Sequence, residues 1–92
     1  MPDIGAKLMD NLLIGTGAIT AQGQKRIIHG ADKDMIIILI NVSGGPLGAS
    51  FNDTDVAVTK DYTFTLLQGK DFLLTPGNQD YWSAAWVMFR LP

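Results

Sequence analysis

Six consecutive apolar residues, Met35 to Ile40, constrain this chain more than any other segment. Four of the six are isoleucines, whose branched side chains are stiff at χ1 and pack well on a pleated sheet. The run is too short to cross a membrane, and its length and β-branching indicate a strand rather than a helix. Because side chains alternate along a strand, Met35, Ile37 and Leu39 share one face, and Ile36, Ile38 and Ile40 share the other. Both faces are apolar, so both must be covered, by the rest of the chain or by another subunit.

The composition limits how a domain of 92 residues can be stabilised. Cysteine is absent and His29 is the only histidine, so the sequence offers no disulfide and predicts neither a metal site nor a cofactor. Small domains without such supports often rely on association with other subunits. Since 47% of the residues are hydrophobic and only 17% are charged, the sequence predicts a homo-oligomer.

The charged residues argue against a helical bundle and against nucleic acid as a partner. The net charge is −2, and all nine acidic residues are aspartates, which favour turns over helix interiors. A mildly acidic chain is a poor partner for nucleic acid, and no apolar run is long enough for a membrane span. The N-terminus lacks the pattern of a signal peptide, so we expect synthesis in the cytoplasm.

Turn-forming segments divide the chain into seven or eight short strands, spaced roughly 8–12 residues apart. This spacing predicts an all-β fold with one small antiparallel β-sandwich or jelly-roll domain, which we place at residues 17–92. Residues 1–16 are predicted to form an N-terminal arm, either extended or a short helix. In that arm Ile4, Leu8 and Leu12 recur at helical spacing and would need a surface on which to lie.

The last strand carries two tryptophans with more than one possible role. On a strand Trp82 and Trp86 share a face and are separated by about 13 Å. Tyr81 and Ala85 lie on the opposite face, so this strand also is apolar on both sides. Three roles are open for the indoles: a subunit interface, which we favour, the core, or a platform for sugar rings.

No constellation of catalytic residues is apparent, and the sequence predicts that the protein is not an enzyme. His29 has no nucleophile in a motif beside it and is expected on the surface or at an interface. The segment from Asn52 to Asp55 carries oxygen ligands of the kind that calcium uses, but Asx residues in turns more often cap their own backbone.

Two segments, 35–51 and 74–85, carry a resemblance to a known group of proteins. The first is an aliphatic strand that ends in Ile40-Asn41-Val42-Ser43-Gly44 and is followed by a small-residue strand that ends in Ser50-Phe51. The second is a turn, Leu74-Thr75-Pro76-Gly77, before an aromatic final strand. This outline resembles the small β-sandwich or jelly-roll virion proteins of tailed bacteriophages, which decorate or cement capsids or form the base of fibres.

The resemblance implies a structural virion protein, most often a trimer, that binds the major capsid protein or another virion protein and is located in the virion. The residues predicted to lie at subunit contacts are Ile4, Leu8, Leu12, Met35, Ile37, Trp82 and Trp86. The alternative is a fibre-base or receptor- or carbohydrate-binding module, in which Tyr81, Trp82 and Trp86 would form the binding platform.

Overall fold

Eight β-strands and no helix make up the part of the chain that the computed structural model describes, residues 13–77 and 81–91. No helix there is long and apolar enough to span a membrane. In chain order the strands are β1 (Leu13–Gln22), β2 (Lys25–Ile28), β3 (Met35–Ser43), β4 (Leu47–Phe51), β5 (Thr54–Val58), β6 (Tyr62–Leu66), β7 (Phe72–Pro76) and β8 (Tyr81–Arg90).

The strands form two four-stranded antiparallel sheets. The first sheet has the order β1-β8-β3-β6, and the second has the order β2-β7-β4-β5. The apolar run lies in the interior of the first sheet, where β3 pairs with β8 on one side and β6 on the other. The predicted all-β antiparallel sandwich is therefore confirmed.

The core lies between the sheets and is built from alternate positions of the strands. In β3 the buried side chains are Met35, Ile37 and Leu39, whereas the intervening isoleucines are only half-buried. An aromatic cluster fills one region, with the rings of Phe51 and Phe64 stacked at 4.0 Å between centroids. The largest fully buried side chains are Phe72, Ile37, Leu39, Leu47, Leu66, Leu74 and Val58.

The sandwich begins earlier than the sequence predicts. Strand β1 starts at Leu13, which pairs with Phe89 of β8, so the predicted boundary between residues 16 and 17 is too late. Gly15 lies at a β-bulge with φ 154°, and Gly17 pairs in register with Trp86, so both glycines belong to the strand. The predicted arm residues Ile4, Leu8 and Leu12 lie outside the described residues.

A tight turn joins β4 to β5. Phe51 and Thr54 pair directly, so Asn52 and Asp53 alone form the loop, with φ angles of 50° and 61°. Two residues with positive φ are characteristic of a type I′ hairpin, whose twist matches that of the flanking strands. Asn and Asp tolerate this conformation better than most residues.

Candidate interaction surface on the first sheet

Four residues that the sequence places at subunit contacts lie instead in the hydrophobic core of the domain. Only 4% of Met35, none of Ile37, 2% of Trp82 and 9% of Trp86 is exposed. Their side chains point from the first sheet toward the second and belong to the core cluster. The interface prediction for these four residues is therefore wrong, because strand alternation shows which residues share a face but not which face turns inward.

Each indole contacts a glycine, Gly17 within β1 or Gly23 directly after it. Trp82 donates a hydrogen bond from Nε1 to the carbonyl oxygen of Gly23, at 2.9 Å. Trp86 lies against Gly17, where an added Cβ would come within 2.5 Å of Nε1. A platform made by both tryptophans is thus ruled out, and Tyr81, which is 64% exposed, is the only member of the predicted platform on the surface.

The surface left by this packing is the outer face of the first sheet. Its centre is a double row of apolar side chains on the adjacent strands β3 and β8, which we name the outer stripe. All six are half-buried by their own neighbours and alternate with core positions. The outer stripe consists of three cross-strand pairs, Ile36 with Phe89, Ile38 with Val87, and Ile40 with Ala85.

Uncharged residues, most of them threonines, border the outer stripe. On β1 the outward residues beside it are Thr16, Ala18 and Thr20, and on β6 they are Thr63 and Thr65, all of them exposed. At one end the pairing of Ser43 with Ser83 places two hydroxyls on the same face. The outward positions of these four described strands carry no charged side chain.

The outer face of the second sheet is different. A row of Arg26, Leu73, Ser50 and Asp55 crosses its four strands in register. The hydroxyl of Ser50 donates a hydrogen bond to Asp55 at 2.5 Å. One face of the sandwich is therefore charged and the other is apolar.

A carboxylate network lies at one end of the charged face. The backbone N–H of Gly30 donates to Asp71 Oδ1 at 2.7 Å, and His29 Nδ1 and Arg26 Nε lie 3.3 and 3.5 Å from its carboxylate. This backbone hydrogen bond, with smaller contributions from His29 and Arg26, holds the pKa of Asp71 below its ordinary value of 3.8, although desolvation opposes the shift. The His29 side chain is 78% exposed, so it lies on the surface.

The segment from Asn52 to Asp55 is held by protein contacts. Asn52 donates to the carbonyl oxygen of Thr65 at 2.7 Å and accepts from the N–H of Leu67 at 2.9 Å. Asp53 forms an ion pair with Lys70 at 2.8 Å. Asn52 therefore bonds to backbone groups of Thr65 and Leu67 rather than to its own turn, and within residues 13–77 and 81–91 no group of three or more histidine or acidic side chains is placed to hold a metal ion.

The outer stripe is the feature that sequence reasoning missed. The sequence correctly groups Ile36, Ile38 and Ile40 on one face, but we assigned the interface to the opposite face. The side-chain sizes on the two faces of β8 indicate which face turns inward. One face carries two large indoles, and the other carries Ala85, Val87 and Phe89. The largest side chains bury the most apolar area and are therefore favoured in the core.

Comparisons with known proteins identify the fold but no family. No protein-family model matches the sequence, and no curated protein matches it. Among solved structures, a predicted oxalate decarboxylase from Thermotoga maritima superposes with a TM-score of 0.64 at 13% identity, covering 99% of this chain and 76% of that protein. A cupin-2 domain containing protein from Shewanella frigidimarina superposes with a TM-score of 0.52 at 14% identity, covering 78% of this chain and 66% of that protein.

This likeness supports the β-sandwich fold and corrects one prediction. The expectation that the protein is not an enzyme is contradicted, because a protein with a similar fold is a predicted oxalate decarboxylase. At 13% identity the likeness extends to the fold alone. The activity in that protein's name therefore belongs to that protein.

Proposed function

We propose that this protein is a structural subunit that is built into a larger particle through the outer stripe of its first sheet, as a capsid decoration or cement protein of a tailed bacteriophage. The observation that carries the proposal is the uncharged, apolar outer face of that sheet. Contiguous apolar patches on small proteins mark interaction sites, and the centres of protein interfaces are depleted of charged residues.

The contrast between the two faces supports a single docking direction. Ile38 and Val87 occupy the middle of the apolar face, whereas the two edge strands of the second sheet carry Arg26 and Asp55. Burial of charged side chains costs free energy unless each is paired, but burial of the outer stripe gains about 25 cal/mol per Å². The first sheet is therefore the face that gains from contact with another protein.

The resemblance of residues 35–51 and 74–85 to phage virion proteins supports the location of that contact on a virus particle. Its implied partners, the major capsid protein and further copies of the chain, remain predictions. The fibre base is the alternative location on the same kind of particle.

Co-sedimentation with virus particles tests the proposal. Particles purified from the cells that make the protein should contain the wild-type chain, and the Val87→Asp variant should be reduced at least tenfold because a charge would be buried at the contact. Ala57→Asp is the matched control, since Ala57 is exposed on the outer face of the second sheet and should not affect incorporation. Particles that lack the wild-type chain would contradict the proposal.

Binding of carbohydrate is a second candidate, and Tyr81 is the observation that favours it. The exposed ring borders a groove of about 380 Å³ with the hydroxyls of Thr20, Ser43 and Ser83. Aromatic rings stack on the apolar faces of sugars while hydroxyls supply hydrogen bonds. A glycan screen in which binding is lost in Tyr81→Ala but kept in Val87→Asp would support this candidate, and the absence of any binding would exclude it.

A further inference from the structure

We infer that the outer stripe is covered by the outer stripe of a second copy of the same chain. The two copies are related by a two-fold axis that runs across the strands, parallel to the line that joins the paired residues Ile38 and Val87. This inference rests on the proposed role of that face as a docking surface, and it assigns the contact within the particle to a second copy of the chain rather than to the capsid protein. It goes further by naming the occupant and its orientation. It also gives a dimer in place of the trimer that the family resemblance implies.

Charge is the first reason that the face suits a copy of itself. In a two-fold interface the same patch meets itself, so every charged side chain near the axis faces its own like charge. The outward residues of the first sheet that lie near Ile38 and Val87 are threonines, alanines and aliphatic or aromatic residues. Self-association of this face therefore carries no electrostatic repulsion.

The size of the face is the second reason. The four strands have 10, 10, 9 and 5 residues, and with a rise of ~3.3 Å per residue and a spacing of ~4.8 Å they present a projected area of roughly 540 Å². Two such faces together supply ~1,100 Å², just above the ~1,000 Å² that a specific interface needs. The face is therefore large enough for a dimer without any further element.

The third reason is the distribution of side-chain size along the outer stripe. The difference lies on β8, where Ala85 is the small side chain at one end and Phe89 is the large one at the other, while their β3 partners, Ile40 and Ile36, are equal in size. A two-fold axis along the central Ile38–Val87 pair reverses the strand direction of the partner. Phe89 of each copy then lies over Ala85 of the other, so large side chains fill the space above small ones.

A two-fold axis parallel to the strands would give a different match. Ala85 would face the partner's Ile40 and Phe89 would face the partner's Ile36, so each end of the stripe would meet the same end of the other copy. Such an arrangement leaves a gap at one end and crowds the other, and both features lower the stability of an interface. The axis along the Ile38–Val87 pair is therefore the better-packed arrangement.

A size-exchange experiment on the full chain tests both the occupant and the axis, with native mass from light scattering as the readout. Wild type should be a dimer, and Ala85→Phe should dissociate at least tenfold more readily because the new ring meets the partner's Phe89. The double variant A85F/F89A should recover the dimer, since each new ring then faces a new alanine. A monomeric wild type would overturn the inference, and failure of the double variant to recover would overturn the axis.

Chemical cross-linking provides a readout that does not depend on the stability of these variants. The chain has no cysteine, so a single Val87→Cys substitution introduces its only thiol. Packed sheets lie ~10 Å apart, beyond the reach of a disulfide, so a short bismaleimide is the suitable reagent. Cross-linked dimer is expected for Val87→Cys and not for Ala57→Cys, and equal cross-linking of the two would overturn the inference.

These outcomes can be separated from those of the proposed function. A wild-type monomer that nevertheless co-sediments with virus particles would overturn the dimer and leave the virion role intact. A wild-type dimer with the predicted cross-link that never occurs in particles would do the reverse.

Discussion

Gly17 of β1 lies directly against the indole of Trp86, its register partner on β8. A Cβ at position 17 would come within 2.5–2.7 Å of Nε1, Cε2 and Cζ2 of that indole. The glycine therefore makes the space in which a large aromatic side chain is buried, 9% exposed, at one edge of the core. A glycine within strand β1 is thus part of the packing of a tryptophan.

The first prediction follows from this contact. Gly17→Ala should lower the free energy of unfolding by about 1–3 kcal/mol, the usual cost of overpacking. Chemical denaturation followed by tryptophan fluorescence would measure the change. The control is Gly48→Ala in β4, where the new Cβ would lie 3.4 Å from its nearest neighbour and the variant should be neutral or up to about 1 kcal/mol more stable. Equal effects of the two substitutions would contradict the packing described for Gly17.

The second prediction concerns the β4–β5 turn. Asn52→Ala removes two hydrogen bonds, to Thr65 and Leu67, and places alanine at φ 50°. We expect a loss of about 2–3 kcal/mol in the free energy of unfolding. The free energy of unfolding of Asn52→Gly should lie between those of wild type and Asn52→Ala, because glycine tolerates the backbone angle but cannot form the two side-chain hydrogen bonds. The turn assignment fails if Asn52→Ala has wild-type stability in a thermal melt.

The third prediction is a pH dependence centred on Asp71. Since the pKa of Asp71 is lower in the folded chain than its ordinary value of 3.8, the ionised carboxylate favours folding. This contribution is fully present above pH 3.8 and is lost as the pH falls through the lowered folded-state pKa. The melting temperature of Asp71→Asn should therefore be below that of wild type at pH 6, and the gap should narrow below pH 3.8. Asp61→Asn is the control, because Asp61 is an exposed residue in the β5–β6 turn. A difference in melting temperature between wild type and Asp71→Asn that widens with acid would contradict the stabilising role of the Asp71 carboxylate.

The fourth prediction separates two adjacent aromatic residues that lie on opposite faces of β8. Trp82 is 2% exposed and hydrogen-bonded, so Trp82→Ala should cost about 3–5 kcal/mol and unfold much of the population. Tyr81 is exposed, and Tyr81→Ala should change the free energy of unfolding by less than about 0.5 kcal/mol. Circular dichroism during urea titration would measure both variants. Similar stability of the two variants would show that Trp82 is not a core residue.

Much of the fold is encoded locally and follows from the sequence. Alternation places Met35, Ile37 and Leu39 on one face, and turn residues such as Asn52 and Asp53 mark the ends of strands, so the all-β class and most strand positions are predictable. The early start of β1 is not predictable, because Gly15 and Gly17 have roles that depend on a bulge and on a side chain distant in sequence.

The location of the interaction surface depends on a choice that local patterns do not make. A strand that is apolar on both sides can turn either face inward, and the outcome depends on which face packs better against the second sheet. In β8 the size of Trp82 and Trp86 determines which face turns inward. Leu39 of β3 pairs with Trp86, so its face of β3 turns inward as well. The sequence thus identifies the two strands of the surface correctly and assigns the wrong side of each.

The most direct test of the docking role of the outer stripe is the native mass of the purified chain, measured by light scattering over a range of concentrations. We predict that wild type and Ala57→Asp form an oligomer that persists on dilution, while Val87→Asp is a folded monomer with wild-type circular dichroism. A wild-type chain that is monomeric at every concentration, or a Val87→Asp variant with the same mass as wild type, would contradict self-association through the outer stripe.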